Sequence, residues 1–137
     1  MRKILFIIPF FFWTCGGEPS KFDETAYIKT EARDRIKIVS FDFNDTTYDE
    51  VLQHAKKQMN TAGRMTAVYY FHKTDKMPLS GFSNTKSISR ANYVLYDSGI
   101  VDEWKYAYVL GYSGYYEFAD CTVSRDKRST VGICQGD

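Results

Sequence analysis

The chain has 137 residues, which is enough for one domain with a workable hydrophobic core. It carries 18 basic and 17 acidic residues, so its charge is nearly balanced. A nucleic-acid-binding protein usually has an excess of basic side chains, and attraction to an anionic membrane surface needs the same excess. The composition therefore argues against both functions.

The first 14 residues, MRKILFIIPFFFWT, combine a short basic start with a short apolar run. Arg2 and Lys3 precede an uncharged stretch over residues 4–13. Ten residues of helix rise about 15 Å, which is half the hydrocarbon thickness of a bilayer. The stretch is too short for a lasting membrane-spanning anchor and is typical of a secretory signal peptide. We predict that residues 1–14 form a signal peptide.

Cys15 follows this run and is itself followed by GGEPS. The arrangement resembles the signal peptides of bacterial lipoproteins over residues 1 to about 20, although Phe12-Trp13-Thr14 replaces the usual leucine and two small residues. The resemblance implies that Cys15 receives a lipid and becomes the first residue after cleavage. Gly16 then implies an outer-membrane position facing the periplasm. An ordinary signal peptide, or an uncleaved anchor with an incidental thiol, is the alternative.

The chain has three cysteines, an odd number for an exported protein. If Cys15 carries the lipid, Cys121 and Cys134 remain to form a disulfide that closes a loop of about 14 residues. Such a bond fits an oxidising periplasm. Two buried free thiols in a reducing cytosol are the alternative.

Residues 15–35 are rich in glycine and charged side chains, and we predict a tether there, with a globular domain over residues 36–137. Ser20 and Asp23 have the spacing of a capping box, which allows a short helix within the tether.

A β-α-β unit is predicted at the start of the domain. IKIVSFDF, from Ile36, has the composition and alternation of a strand, and RMTAVYYFHK, from Arg64, is a second strand. The helix between them is predicted to begin with a capping box formed by Thr47 and Glu50 and to end just before Gly63, which serves as its C-cap. Its apolar face comprises Tyr48, Val51, Leu52, Ala55 and Met59.

The rest of the chain predicts a loop followed by a β-meander. Residues 73–90 are rich in Ser, Thr and Asn and predict the loop. Strands are predicted over residues 91–99, 103–112, 115–124 and 130–134. The expected fold class is α+β, with one amphipathic helix packed on a mostly antiparallel sheet of five or six strands.

Catalytic and metal-binding signatures are weak in this sequence. His54 is expected to be solvated, and His72 has no partner for general-base catalysis that the spacing identifies. Asp42, Asn44 and Asp45 are similar to the start of a calcium loop, but Thr47 stands where that loop needs glycine. We predict no catalytic residue, no metal site and no cofactor. A pair of carboxylates could still serve a hydrolase, and the candidates are Asp102, Glu103, Glu117 and Asp120.

Aromatic residues are concentrated in the last third of the chain. Tyrosine is common in protein interfaces, and sugars stack on the same rings, whereas aromatic residues also favour strands for structural reasons alone. A candidate binding patch comprises Tyr93, Trp104, Tyr106, Tyr108, Tyr112, Tyr115 and Tyr116.

These features favour a non-enzymatic lipoprotein that binds an envelope or secreted protein and no nucleic acid. Immunity proteins, enzyme inhibitors and entry-exclusion lipoproteins share this general build, and no motif selects among them. A small glycan-binding module or hydrolase of the cell envelope is the second hypothesis. A structural component of an envelope complex is the third.

Overall fold

A computed structural model describes residues 20–97, 103–127 and 133–134. The predicted signal peptide and Cys15 lie outside these residues. The described chain forms the elements β1 (Phe22–Thr30), β2 (Arg35–Phe41), α1 (Tyr48–Lys56), β3 (Thr66–His72), β4 (Gly81–Thr85), α2 (Ile88–Asp97), β5 (Tyr106–Leu110) and β6 (Tyr116–Asp120), followed by a short 3-10 turn at Arg125–Lys127.

The six strands form a single mixed sheet in the order β4-β1-β2-β3-β5-β6. The pairs β1–β2, β3–β5 and β5–β6 are antiparallel, whereas β1–β4 and β2–β3 are parallel. The predicted α+β class is confirmed. The expected mostly antiparallel sheet with one helix is confirmed only in part. Two of the five strand pairs are parallel, and the described chain has a second α-helix.

The predicted β-α-β unit corresponds to β2, α1 and β3, although β1 precedes it. Its capping box is confirmed. The Glu50 backbone N–H donates to Thr47 Oγ1 over 3.3 Å, and the Thr47 N–H donates to the Glu50 carboxylate over 2.8 Å. The helix ends at Lys56, earlier than expected, so Met59 of the predicted apolar face lies beyond it. Met59 is consequently 68% exposed, and Gly63 occupies a turn before β3 with φ +68°.

Strand β1 corrects the predicted tether. Residues 22–30, assigned to the tether because of their charge, pair along β2. Ala26 and Ile28 alternate with more exposed residues and are buried in the core, whereas Asp23 and Glu24 are exposed. A period of two places the apolar residues on one face of a strand, and this outweighs the low mean hydropathy of the segment. The folded domain therefore includes residues well before Ile36.

Helix α2 and strand β4 correct the prediction for the following region. Residues 81–85 form a strand within the predicted loop, and residues 88–97 form a helix where a strand was expected from residue 91. Ile88, Ala91 and Leu95 have helical spacing and pack together in one apolar cluster. The strand propensity of neighbouring tyrosine and valine is overridden by this packing. The strand predicted over 130–134 lies mostly outside the described residues.

The core has two parts, one on each side of the sheet. Ala91 and Leu95 of α2 belong to a cluster with Ile28, Ile36 and Ile38. Val51 and Ala55 of α1 belong to the other cluster, whose remaining buried members are Val39, Phe41, Val68, Tyr70, Tyr106, Tyr108 and Phe118. The sheet is thus covered by a different helix on each face.

Candidate functional site

The seven residues of the predicted aromatic patch are divided between the core and the surface. Trp104, Tyr106 and Tyr108 are at most 5% exposed and belong to the core. The prediction that these three residues belong to a binding patch is corrected, because the helices cover the sheet on both faces. The other four are exposed, and they are Tyr93, Tyr112, Tyr115 and Tyr116.

The β5–β6 hairpin presents three of the exposed tyrosines. The Gly111 N–H donates to the Tyr115 carbonyl over 2.9 Å, and the Gly114 N–H donates to the Gly111 carbonyl over 3.0 Å. Gly114 has φ +83°, a left-handed conformation that glycine adopts without a steric penalty. These bonds define the loop, at which Tyr115 is 81% exposed and Tyr112 is 53% exposed.

Tyr116 connects this hairpin to α1. Its ring stacks on buried Tyr108 with the centroids 5.5 Å apart, and the ammonium of Lys56 lies 4.9 Å from the Tyr116 centroid. A hydrogen bond with Tyr116 raises the pKa of Lys56. A favourable cation–π contact therefore links the helix to the hairpin.

Tyr48, at the start of α1, extends the same exposed area. Its ring contacts Phe118 edge-on at 4.9 Å and Tyr106 at 6.0 Å, and it is 39% exposed. Partial burial raises its pKa, with a contribution from Asp120. The sequence placed Tyr48 on the apolar face of the helix but not in the patch. We define the tyrosine surface as Tyr48, Tyr112, Tyr115 and Tyr116.

A packed aromatic layer lies beneath Tyr48 and Tyr116 of the tyrosine surface. The rings of Tyr106 and Phe118 stack at 5.9 Å, and Tyr106 also contacts Phe41 at 5.9 Å. Burial disfavours the phenolate and raises the pKa of both Tyr106 and Tyr108. The rings of Tyr48 and Tyr116 are thus supported by side chains held in the core, which lowers the entropy that these two rings lose on binding.

Tyr93 lies apart from the tyrosine surface. It is on α2, the helix of the opposite cluster, and is 55% exposed. The guanidinium of Arg90 lies 4.9 Å from its ring centroid. The exposed tyrosines of the predicted patch therefore do not form one contiguous surface, because the sheet separates Tyr93 from the others.

His54 is not the solvated residue that the sequence predicted. Its ring stacks on Phe22 at 4.1 Å, and its Nδ1 atom lies 2.9 Å from the hydroxyl of the fully buried Tyr70. Burial is the main cause that lowers the pKa of His54. The contact was missed because Phe22 comes from β1, which was assigned to the tether.

The ring of His72 forms a hydrogen bond that supports a loop. Its Nδ1 atom accepts from the Phe43 backbone N–H over 3.0 Å, and its own backbone N–H donates to Asp75 over 3.1 Å. The ring thereby supports the loop after β2. Neither ring nitrogen is hydrogen-bonded to a serine or cysteine side chain in the described part of the chain.

Two of the acidic residues considered for chemistry, Asp42 and Asp120, serve local structure, whereas Glu103 and Glu117 are exposed. Asp42 forms an ion pair with Lys73, which is the main cause that lowers the pKa of Asp42. Asp120 accepts from the Thr122 backbone N–H over 2.9 Å. Asp102 lies outside the described residues. Across residues 20–97, 103–127 and 133–134, no group of three or more His, Cys, Asp and Glu side chains could hold a metal ion.

Two surface cavities lie near the start of β1. One, of about 530 Å³, adjoins α1 and includes Phe22 and His54, and the second, of about 310 Å³, includes Asp42 and Lys73. At the second cavity Lys73 forms an ion pair with Asp42, and at the first Lys21 bonds Glu50 over 2.6 Å. That bond and the Thr47 contacts lower the pKa of Glu50 to about 2. Neither cavity is lined by a residue of the tyrosine surface.

The predicted disulfide between Cys121 and Cys134 is confirmed, with their Cα atoms 5.4 Å apart. Cys134 is buried, and Cys121 packs against the cluster on the α2 side. Within the described part of the chain, no helix combines the length and the hydropathy needed to cross a membrane. Comparisons with protein-family models, curated proteins and solved structures found no match.

Proposed function

We propose that this protein is a membrane-tethered, non-enzymatic module that binds another protein of the cell envelope or a secreted protein. The tyrosine surface is the observation that carries the proposal. Its four rings are between 39% and 81% exposed, and two of them, Tyr48 and Tyr116, rest on a buried aromatic layer. Exposed tyrosine on a rigid support is a common means of binding proteins, since it buries a large area at a low cost in side-chain entropy.

A protein partner fits this surface better than a small substrate does. The exposed rings lie on a hairpin and at a helix start, outside the two cavities, whereas small-molecule sites are usually concave. Of the polar side chains near the cavities, Glu50 and Asp42 form ion pairs, and His72 accepts a hydrogen bond from the loop after β2. These arrangements favour binding over catalysis.

The proposed tether follows from the N-terminal pattern, with residues 1–14 as a signal peptide and Cys15 as the lipid-bearing residue. The disulfide supports an oxidising compartment such as the periplasm. Since the described domain begins at Ser20 and β1 at Phe22, Cys15 is five residues from the first described residue. Even fully extended, that segment spans less than about 20 Å. The domain would therefore be held close to the membrane, which we propose is the outer membrane.

Crosslinking on whole cells tests the binding function. Cells expressing the full chain are treated with an amine-reactive crosslinker, and the captured proteins of the wild type, the double variant Tyr115→Ser/Tyr116→Ser and the control Tyr93→Ser are compared. We expect a specific protein with the wild type and the control but not with the double variant. Tyr93 is a matched control because it is an exposed tyrosine on the other side of the sheet.

Failure to recover a specific protein with the wild type, or equal recovery with the double variant, contradicts the proposal. A change in tyrosine fluorescence on adding peptidoglycan fragments, lost in the double variant, would instead support the glycan-binding hypothesis. The intact mass of the non-reduced protein from its native membrane fraction tests the tether separately. We expect the mass of residues 15–137 plus acyl chains and less two hydrogens for the disulfide.

A further inference from the structure

Strand β4 forms one edge of the sheet and is exposed along most of its length. It pairs with β1 on one side only, and Gly81, Phe82, Ser83 and Asn84 are all exposed. The outward backbone N–H and C=O groups of β4 therefore face no other strand of the described chain. Such an edge is a template for pairing with a further strand.

The sequence of β4, GFSNT, lacks the features that usually prevent edge pairing. It contains no charged residue and no proline, and its register with β1 is continuous over five residues. The opposite edge differs, because β6 carries Glu117 and Asp120. Self-pairing of β6 centred on Phe118 would place Glu117 diagonally across from its own copy, and like charges across strands are destabilising. Charge thus disfavours association at one edge and permits it at the other.

We propose that two copies of this chain associate by antiparallel pairing of their β4 strands, which joins the two sheets into one. The register that pairs all five residues is centred on Ser83, which lies opposite Ser83 of the second copy. Phe82 then lies opposite Asn84 and diagonal to the second Phe82, within reach of an aromatic side chain. Phe82 is 60% exposed and already packs on Tyr27 at 5.4 Å, so the pairing covers an exposed apolar ring.

The charges near β4 are compatible with this arrangement. Lys86, the residue that follows β4, would lie opposite Ser80 of the second copy and not opposite another lysine. The contact is short, since five residues extend only about 17 Å. We therefore expect a concentration-dependent equilibrium between monomer and dimer. This association is independent of the tyrosine surface, which lies on α1 and on the β5–β6 hairpin at the opposite edge of the sheet.

Cysteine crosslinking tests the proposed pairing. Residues directly opposite in an antiparallel pair have Cα atoms about 4.5 or 5.5 Å apart, which is within the range of a disulfide. The full chain carrying Ser83→Cys is expressed, its membranes are treated with a mild oxidant, and dimers are measured by non-reducing electrophoresis. We expect a disulfide-linked dimer that disappears on reduction.

Ser113→Cys is the matched control, because it places a thiol at another exposed serine, in the β5–β6 hairpin. The wild type controls for dimers formed through Cys15. Adding Phe82→Lys to Ser83→Cys places like charges across the axis, and we expect the dimer fraction to fall to that of Ser113→Cys. A dimer yield for Ser83→Cys no higher than that of Ser113→Cys overturns the proposal, as does a yield unaffected by Phe82→Lys.

Discussion

On the α2 side of the sheet, the buried cluster contains three aromatic residues among eleven, and isoleucines of β1 and β2 lie at its centre. On the α1 side, five of the nine buried residues are aromatic, and three of these are tyrosines. Aliphatic side chains can only fill the core, whereas a tyrosine can be buried by its ring and still reach a polar partner or the surface. In keeping with this difference, the exposed Tyr48 and Tyr116 are continuous with the aromatic residues of the α1 side.

The two sides also differ in the contacts at their margins. The disulfide packs against the α2 side, whereas rings of the α1 side extend through Tyr108 to the exposed Tyr116. A covalent bond adds stability without offering a binding surface. We therefore expect substitutions on the α2 side to change stability alone, and some substitutions on the α1 side to change binding alone.

Truncation of the core has the largest expected effect. Phe41→Ala on the α1 side should lower the free energy of unfolding by about 3–5 kcal/mol, and Ile38→Ala on the α2 side by about 2–5 kcal/mol. Both side chains are almost fully buried, so each truncation leaves a cavity. Urea denaturation measures both values. Ile38→Val, expected to cost about 0.5–1.5 kcal/mol, is the control. A cost below that of this control for either alanine variant would show that its side is not close-packed.

Loss of the disulfide should have the next largest effect. The bond joins residues 13 positions apart, and Cys121→Ser/Cys134→Ser is expected to lower the free energy of unfolding by roughly 3 kcal/mol. Denaturant titrations with and without reductant measure the change. Reductant should destabilise the wild type to the level of the double variant and leave the variant unaffected. If reductant does not change the free energy of unfolding of the wild type, the disulfide does not stabilise the fold.

Acidification should weaken the α1 side through His54. Burial lowers its pKa in the folded protein below the ordinary value of 6.5, so the unfolded chain binds more protons as the pH falls. The contribution to stability is complete above pH 6.5 and is lost as the pH falls through the folded-state pKa. Lys37 and Lys57 act in the same direction as burial, and Glu24 opposes them.

Melting temperatures measured across this pH range check the prediction for His54. The wild type should lose more stability on acidification than His54→Gln, which retains every other titrating group and can still accept a hydrogen bond from Tyr70. Parallel pH profiles for the two proteins would contradict a buried, neutral His54.

The smallest effect on stability is expected at the exposed rings. Tyr115 is 81% exposed, and Tyr115→Ser should change the free energy of unfolding by less than about 0.5 kcal/mol. Tyr108→Ser, in the buried layer, should cost roughly 3 kcal/mol or more. Thermal denaturation of both variants would sharpen the division between core and surface tyrosines. A large loss of stability in Tyr115→Ser would indicate that its ring belongs to the core.

Local patterns predicted several elements well. The capping box of α1 follows from side-chain chemistry within four residues, and the strand patterns of β2, β3, β5 and β6 follow from short apolar or alternating runs. The errors occurred where local signals conflict with packing. The charge of the β1 segment predicts a tether, and the strand propensity of aromatic residues in the α2 segment predicts a strand. Both segments nevertheless bury apolar residues in the same cluster.

The amino-acid sequence by itself determined the α+β class, the helix cap and the concentration of tyrosine near the C-terminus, and it predicted the cysteine pairing on the condition that Cys15 is lipidated. The tertiary structure decided that β1 joins the sheet, that His54 contacts Phe22 and Tyr70, and which tyrosines are exposed. Propensity and capping depend on neighbours in the chain, whereas burial depends on which distant segments cover a residue. For this reason the tyrosines could be counted from the sequence, but the binding surface could be defined only after both helices were placed on the sheet.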